Sequence, residues 1–173
     1  MDHIENELEA GRAVILPTET VYGIFAKALD QEAVDYIYEL KRRPRDKALN
    51  LNVADEKTIR IYSKNQPSYL TKLIHSFLPG PLTIILQANE KVPNWIHSGL
   101  DTVGFRIPAH PKTVELIRKY GPLVGPSANL SGHASGTKYK AIVSEFDQVV
   151  PGIEDDDFLT GQDSTILDIS SSK

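Results

Sequence analysis

The sequence has no cysteine among its 173 residues and no long apolar run. Without cysteine, the protein can form no disulfide, no thiolate metal site and no cysteine nucleophile. Crossing a bilayer takes roughly 18 consecutive apolar residues, and the acidic N-terminal stretch MDHIENELEAGR is unlike a secretory signal peptide. We therefore expect a cytoplasmic protein that has no membrane partner.

The common phosphate-binding and nucleophile motifs are also missing. There is no G-x-x-x-x-G-K-[ST] loop, no G-x-G-x-x-G turn and no G-x-S-x-G elbow. The histidines are scattered, and no two have the spacing of metal ligands: His3, His75, His97, His110 and His133. We therefore predict no metal site built from side chains, and any phosphate chemistry must use a less common arrangement.

Helix and strand patterns alternate along the chain. This alternation predicts one α/β domain over residues 1–173, with no additional C-terminal domain, around a mostly buried sheet. Helical spacing of apolar residues covers 4–10, 30–40, 67–78, the region around 114–117 and 138–146. Strand patterns cover 13–16, 49–53, 82–86, 103–107, 123–125 and 166–169.

A basic cluster stands out in an acidic chain. Five of the nineteen Lys and Arg residues fall within the seven positions 41–47. Asp46 lies in the same segment, so the net charge of the segment is +4. Because the whole chain carries −4, the residues outside the segment sum to −8. Cations that complement a helix C-terminus explain one or two of these residues, and the others repel one another unless an anion is bound. The cluster therefore predicts a polyanion such as a nucleotide triphosphate, while the overall acidity argues against broad nucleic-acid binding.

Three polar segments follow or interrupt predicted strands, where ligands bind in open α/β sheets. Residues 17–23 (PTETVYG) carry hydroxyls that suit a small polar ligand, although a strand-to-helix turn explains them equally well. Residues 126–132 (PSANLSG) can present hydroxyl and N–H groups to an oxyanion, but a plain turn is the simpler account. Arg106 is out of phase with Phe105 and Ile107, so it projects from the opposite sheet face, either into solvent or into a cleft where it would suit a carboxylate.

Six short motifs, in this order, resemble those of the YrdC-like threonylcarbamoyl-AMP synthases. Each is weak alone, but together they span nearly the whole chain. They are residues 17–23, Lys41-x-Arg43-Pro44, residues 79–83 (PGPLT), Arg106-x-Pro108, Ser127-Ala128-Asn129-x-Ser131-Gly132 and Ser164-Thr165-Ile166-x-Asp168. The resemblance implies a single twisted mixed-sheet domain of the YrdC-like type with a basic concave groove.

The resemblance also implies an activity. A nucleotidyltransferase of this family makes L-threonylcarbamoyl-AMP and pyrophosphate from L-threonine, bicarbonate and ATP, with Mg²⁺ accompanying ATP. The product passes to a tRNA threonylcarbamoyl transferase complex, which modifies an adenosine beside the anticodon. An alternative is a protein of the same fold without this activity, which binds double-stranded RNA or tRNA or acts in ribosome maturation.

Site residues carry over position by position. The resemblance implies that four residues bind threonine: Thr20, Arg106, Ser127 and Ser164. It implies that six bind ATP: Lys41, Arg43, Lys47, Thr102, Asn129 and Thr137. Lys41 and Arg43 are the residues implied to act in catalysis, through charge neutralisation on the phosphates.

The chain departs from the family pattern in three places. Lys47-Ala48 stands where a small polar or basic residue followed by proline is usual. Asn52 occupies a position where some members carry histidine, which puts its role as a ligand in doubt. Family members commonly continue into a further strand with an arginine, so we expect one nucleotide contact to be either missing or supplied differently here.

Overall fold

A computed structural model describes residues 2–133, 136–146 and 149–171. The helices are α1 (Asp2–Glu9), α2 (Gln31–Lys41), α3 (Glu56–Ile61), α4 (Leu70–Phe77), α5 (Asn94–His97), α6 (Pro111–Tyr120) and α7 (Tyr139–Val143), with a short 3-10 helix at Asp156–Phe158. The strands are β1 (Val14–Leu16), β2 (Gly23–Lys27), β3 (Leu51–Asn52), β4 (Ser63–Lys64), β5 (Leu82–Ala88), β6 (Thr102–Arg106), β7 (Leu123–Val124) and β8 (Thr165–Asp168). Within these ranges, no helix has the length and apolar character that a membrane crossing requires.

The eight strands form one mixed sheet. Its order is β1-β2-β7-β3-β6-β5-β4, and β8 pairs with β5. The pairs β3–β6 and β5–β8 are parallel, whereas the other neighbours are antiparallel. The predicted fold class, α/β with a single mixed sheet, is therefore confirmed.

Local chemistry accounts for the ends of α2. The Asp30 carboxylate accepts hydrogen bonds from the N–H groups of Glu32 and Ala33, at 3.1 and 3.3 Å, as an N-cap does. The helix ends at Arg42, whose left-handed backbone (φ 52°) turns the chain sharply. The basic segment therefore leaves the helix axis just after Lys41, and its side chains point in different directions.

Two apolar clusters lie on opposite faces of the sheet. The larger cluster packs beneath α2, α4 and α5 and includes Ile24, Leu51 and Phe105. The smaller packs α1 and α6 against the other face, where Phe25 and Leu123 are fully buried. Because strand residues alternate between faces, each strand at the β1–β2–β7 end contributes to both clusters.

The face that carries α1 and α6 is only partly covered. Leu123 of β7 lies on this face and is paired in register with Asn52 of β3, which is paired in turn with Arg106 of β6. The α1–α6 cluster includes no residue from β3, β6 or β5. The polar side chains of these strands therefore face a cleft beside the helices.

Several elements differ from the sequence patterns. The segment 17–23 connects β1 to the antiparallel strand β2, so it is not a strand-to-helix turn. Strand β2 and helix α3 were not predicted, and the predicted strand 49–53 shortens to Leu51–Asn52. Asp30 does cap α2, and the helix of 67–78 is present as Leu70–Phe77.

Candidate active site

The cleft on the uncovered sheet face has a volume of about 320 Å³. Its floor comes from β3, β5 and β6, and its walls come from segments 17–23, 43–49, 125–127 and 163–166. Five of the residues expected at the site line this cleft: Thr20, Arg43, Arg106, Ser127 and Ser164. They come from five separate parts of the chain, so the tertiary structure brings together what the sequence keeps apart.

Arg106 occupies the floor, as its phase in β6 predicted. Its side chain is 13% exposed and forms an ion pair with the Glu19 carboxylate. Burial lowers the pKa of Arg106 to about 10, and the nearby Asp163 carboxylate opposes that shift, so the guanidinium stays charged at neutral pH. Its Nε is buried and has no hydrogen-bond partner among the described residues. An unsatisfied buried donor of this kind is costly.

Segment 17–23 forms the wall beside Arg106. The Nη2 atom of Arg106 lies 3.0 Å from the Thr20 hydroxyl oxygen, and Glu19 also accepts a hydrogen bond from the backbone N–H of Ala109. Thr18 and Thr20 are buried and hydrogen-bonded to each other. The hydroxyls are therefore ordered parts of the cleft.

Arg43 is the member of the basic cluster that lines the cleft. Its Nη2 donates to the carbonyl of Ala48 at 2.7 Å, while its Nε is buried and has no partner within the described part of the chain. The other cations diverge. Arg45 pairs with Asp35 at 2.5 Å, and Lys47 is exposed outside the cleft lining. The side chains of the whole cluster therefore do not face one site, as the expected binding of a single anion would require.

Lys41 lies behind the cleft. Its side chain is almost completely buried, and its Nζ donates to the carbonyl oxygens of Ser127 and Asn129 at 2.5 and 2.7 Å. Burial and the neighbouring Arg43 charge lower the pKa of Lys41 to about 8. The Lys41 carbonyl in turn accepts the N–H of Ser131. Lys41 thus fastens segment 126–132 to the end of α2.

Asn129 is buried at the back of this segment. Its Nδ2 donates to the carbonyls of Leu130 and His133, at 2.9 and 2.7 Å, which closes the turn. Its Oδ1 is buried and unpaired among the described residues, but Asn129 is not part of the cleft lining. Ser127 of the same segment lines the cleft directly.

The segment 160–166 supplies the opposite wall through residues 163–166. The N–H groups of Thr160 and Gly161 donate to the carbonyls of Glu19 and Thr20, at 3.0 and 2.9 Å. Ser164 is anchored by a 2.9 Å hydroxyl contact with Thr83 of β5. These bonds hold the threonine-rich wall and the C-terminal wall in one fixed relationship.

Tyr22 joins the same two walls farther out. Its hydroxyl donates to the Asp156 carboxylate at 2.6 Å and accepts the backbone N–H of Asp155 at 2.7 Å. Burial is the main cause of the raised pKa of Tyr22, so the phenol stays protonated. The Asp155 carboxylate also lies 2.8 Å from His110 Nε2, where α6 begins. Tyr22 also lines the cleft, so this latch belongs to its wall.

Two glycines in the cleft wall leave room for a buried ring. A Cβ added at Gly125 would lie 2.4 Å from the ring of Phe25, and one at Gly23 would lie 2.5 Å from it. Both glycines line the cleft, and the ring is fully buried beneath them. Because neither position can accept a side chain without moving Phe25, the backbone itself forms this part of the surface.

Two of the expected nucleotide contacts lie away from the cleft. Thr102 begins β6, at the end of the strand opposite Arg106, and it pairs with Gln87. Thr137 lies outside the cleft lining and is close to Gly161 of the C-terminal wall. With Lys47, Asn129 and Lys41, these residues remain predicted ATP contacts that the cleft lining does not include.

Some cleft residues were not among those expected. Thr18 lies inside the PTETVYG segment, so the signal was present, but only Thr20 was selected from it. Glu19 of the same segment pairs with Arg106 of the cleft without lining the cleft itself. Asn50 and Asn52 line the cleft, and their alternation with apolar residues was the available signal. Asp163 also lines it, and no pattern in its neighbourhood marks it.

Known proteins resemble this chain in both sequence and fold. A family model named Sua5_yciO_yrdC, described as Telomere recombination, matches residues 6–173. The chain is 39% identical over 165 residues to "Threonylcarbamoyl-AMP synthase" of Pyrococcus abyssi (strain GE5 / Orsay), covering 94% of this chain and 48% of that protein. It is 39% identical over 150 residues to the protein of the same name from Bacillus subtilis (strain 168), covering 86% and 43%.

A solved structure has the same fold. The "Crystal structure of P. abyssi Sua5 complexed with L-threonine" matches with a TM-score of 0.84 and 37% identity, over 95% of this chain and 49% of that one. This chain therefore spans less than half the length of these three relatives. On the family match and these identities, the chain belongs to the Sua5/YciO/YrdC family.

Proposed function

We propose that this chain is a nucleotidyltransferase that makes L-threonylcarbamoyl-AMP and pyrophosphate from L-threonine, bicarbonate and ATP. The observation that carries the proposal is the convergence of Thr20, Arg43 and Arg106, together with two serines, on one cleft. Relatives that bear the name threonylcarbamoyl-AMP synthase support it. The product would pass to a tRNA threonylcarbamoyl transferase.

The chemistry needs no covalent enzyme intermediate. The threonine amine attacks the carbon of bicarbonate, water leaves, and an N-carboxylate forms. An oxygen of that carboxylate attacks the α-phosphorus of ATP, and the bond to the β-phosphate oxygen breaks to release pyrophosphate. The protein's task is to position charged reactants and stabilise the charge on the phosphates.

The residues of the cleft suit these tasks. Arg106, on the floor of the cleft, would hold the threonine carboxylate, and Arg43 would hold phosphate oxygens with its planar fork of donors. Ser127 would donate its hydroxyl to the ligand from a segment that Lys41 holds in place. Two guanidinium groups and one carboxylate, that of Asp163, line the cleft, so its basic character remains a prediction.

A Mg²⁺ ion that accompanies ATP fits this set of residues. Among the described residues, no three His, Asp or Glu side chains are grouped as a metal site would require. Mg²⁺ at nucleotide sites is commonly held by phosphates and only one or two carboxylates, and Asp163 is the carboxylate that lines the cleft. The ion would neutralise phosphate charge.

The direct test is isotopic. The protein is incubated with labelled bicarbonate, L-threonine and Mg-ATP, and the products are separated. We expect a labelled adenylate and pyrophosphate in equal amounts, and no product when threonine is omitted. ATP consumption that does not depend on threonine would overturn the proposal.

RNA binding by a protein without this activity is the alternative. Its main support was the basic cluster, but Lys41 is buried and Arg45 is paired with Asp35, which leaves few of these cations for a phosphate backbone. Salt-dependent binding of tRNA without formation of the labelled adenylate would favour it.

A further inference from the structure

We propose that Thr18 is a positioning residue that makes the Thr20 hydroxyl a hydrogen-bond acceptor toward the amine of the amino-acid substrate. The inference rests on the proposed function and concerns the same cleft. It gives a role to Thr18, which lines the cleft, and it states whether the Thr20 hydroxyl donates or accepts a hydrogen bond. This polarity is set by the hydrogens of two buried hydroxyl groups, those of Thr18 and Thr20.

Thr18 has one hydroxyl hydrogen, and a main-chain carbonyl takes it. The Thr18 hydroxyl oxygen lies 2.6 Å from the carbonyl oxygen of Val21, and a carbonyl can only accept. Thr18 therefore has two lone pairs left and no hydrogen. One lone pair accepts the backbone N–H of Thr20 at 3.1 Å.

The remaining contact of Thr18 fixes the direction of the Thr20 hydroxyl. The two threonine hydroxyl oxygens are 3.0 Å apart. Because Thr18 has already given its hydrogen to Val21, Thr20 must be the donor in this contact. The single hydrogen of the Thr20 hydroxyl thus points back into the wall, away from a ligand in the cleft.

Arg106 closes the other side of Thr20. Its Nη2 donates to the Thr20 oxygen at 3.0 Å, which uses one of the two lone pairs on that oxygen. The Glu19 carboxylate accepts a hydrogen bond from the same Nη2. One lone pair of Thr20 is left for a ligand, so this hydroxyl can accept from an N–H group and would repel a carboxylate oxygen.

This polarity matters for the proposed reaction. A substrate amine that donates an N–H to Thr20 keeps its nitrogen lone pair free to form the bond to carbon. A hydroxyl that donated instead would occupy that lone pair and suppress the attack. Thr18 would therefore orient the nucleophile without touching the reacting atoms.

The experiment compares two ligands and two variants by calorimetric titration. L-threonine carries the amine, whereas (R)-3-hydroxybutanoate keeps the carboxylate and the hydroxyl but lacks it. For Thr18→Val, we expect about tenfold weaker binding of L-threonine and unchanged binding of (R)-3-hydroxybutanoate, because the freed Thr20 hydroxyl can turn its hydrogen toward the amine. Thr18→Ser keeps the hydroxyl and should restore L-threonine binding.

The outcomes separate the inference from the proposed function. If Thr18→Val binds both ligands more weakly by the same factor, or binds both as the wild type does, the inference is wrong while the proposed function stands. If the wild-type protein does not bind L-threonine, the proposed function falls and the inference with it. Should Thr18→Val not fold, Thr20→Val is titrated with both ligands, and a loss not confined to L-threonine overturns the inference.

Discussion

The ammonium group of Lys41 lies 2.7 Å from the backbone carbonyl oxygen of Asn129, in a position closed to solvent. The same nitrogen also binds the carbonyl of Ser127, which lines the cleft. A cation that the sequence suggested for phosphate binding is thus engaged by the protein itself. Lys41 would therefore affect a ligand by holding segment 126–132 in place, whereas Arg43 faces the cleft directly.

Replacing Lys41 should therefore affect stability. In Lys41→Met, the two carbonyls lose their donor, and we expect the free energy of unfolding to fall by about 1–3 kcal/mol. Chemical denaturation measures this loss. Lys72→Met, in the exposed part of α4, is the matched control and should stay within about 0.5 kcal/mol of the wild type. Equal stability of the two variants would show that the contacts of Lys41 contribute nothing.

The buried ammonium also makes stability depend on pH. The pKa of Lys41 is about 8 in the folded state, against an ordinary value of 10.5, so the unfolded chain binds more protons between these values. The contribution of Lys41 to the free energy of unfolding is therefore fully present above about pH 10.5 and is lost as the pH falls through 8. As the pH rises through this window, the free energy of unfolding of the wild type should increase relative to that of Lys41→Met by up to about 1.4 kcal/mol per pH unit. A stability difference that stays constant from pH 8 to 10 would contradict the lowered pKa.

Arg43 should behave differently from Lys41. It lines the cleft, so its guanidinium group can contact a ligand. Arg43→Ala is expected to lower the rate of pyrophosphate release by about 100-fold or more, because charge neutralisation on the phosphates is lost. A coupled pyrophosphate assay measures the rate. The exposed Arg60→Ala, on α3, is the control, and a similar rate in both variants would remove Arg43 from the site.

Arg106 is expected to distinguish the two substrates. In Arg106→Ala, the threonine carboxylate loses its partner, so KM for threonine should rise by about tenfold to 100-fold. KM for ATP should change by less than about threefold, because the phosphates would bind at Arg43. Steady-state kinetics with each substrate varied in turn provide the test, and equal increases in both KM values would argue against the carboxylate role.

The cleft residues show how far sequence reasoning reaches. The alternation in β6 predicted that Arg106 projects away from Phe105, and it does, because a strand places successive side chains on opposite faces. The same reasoning missed β2, because Gly23–Lys27 follows the polar segment 17–23 without a break and has no alternation of polar and apolar residues. Both faces of β2 are buried, and a doubly buried strand lacks the periodic signal.

The basic cluster marks the limit of such reasoning. The sequence alone determined that the chain is an α/β domain, that helix α2 ends in a basic segment and that Arg106 lies on the polar face of its strand, since these depend on local periodicity and composition. Only the tertiary structure decided that Arg43 reaches the cleft while Lys41 binds two carbonyls behind it. The left-handed turn at Arg42 redirects the chain between them, and the position of a side chain after such a turn depends on the distant segments that pack around it.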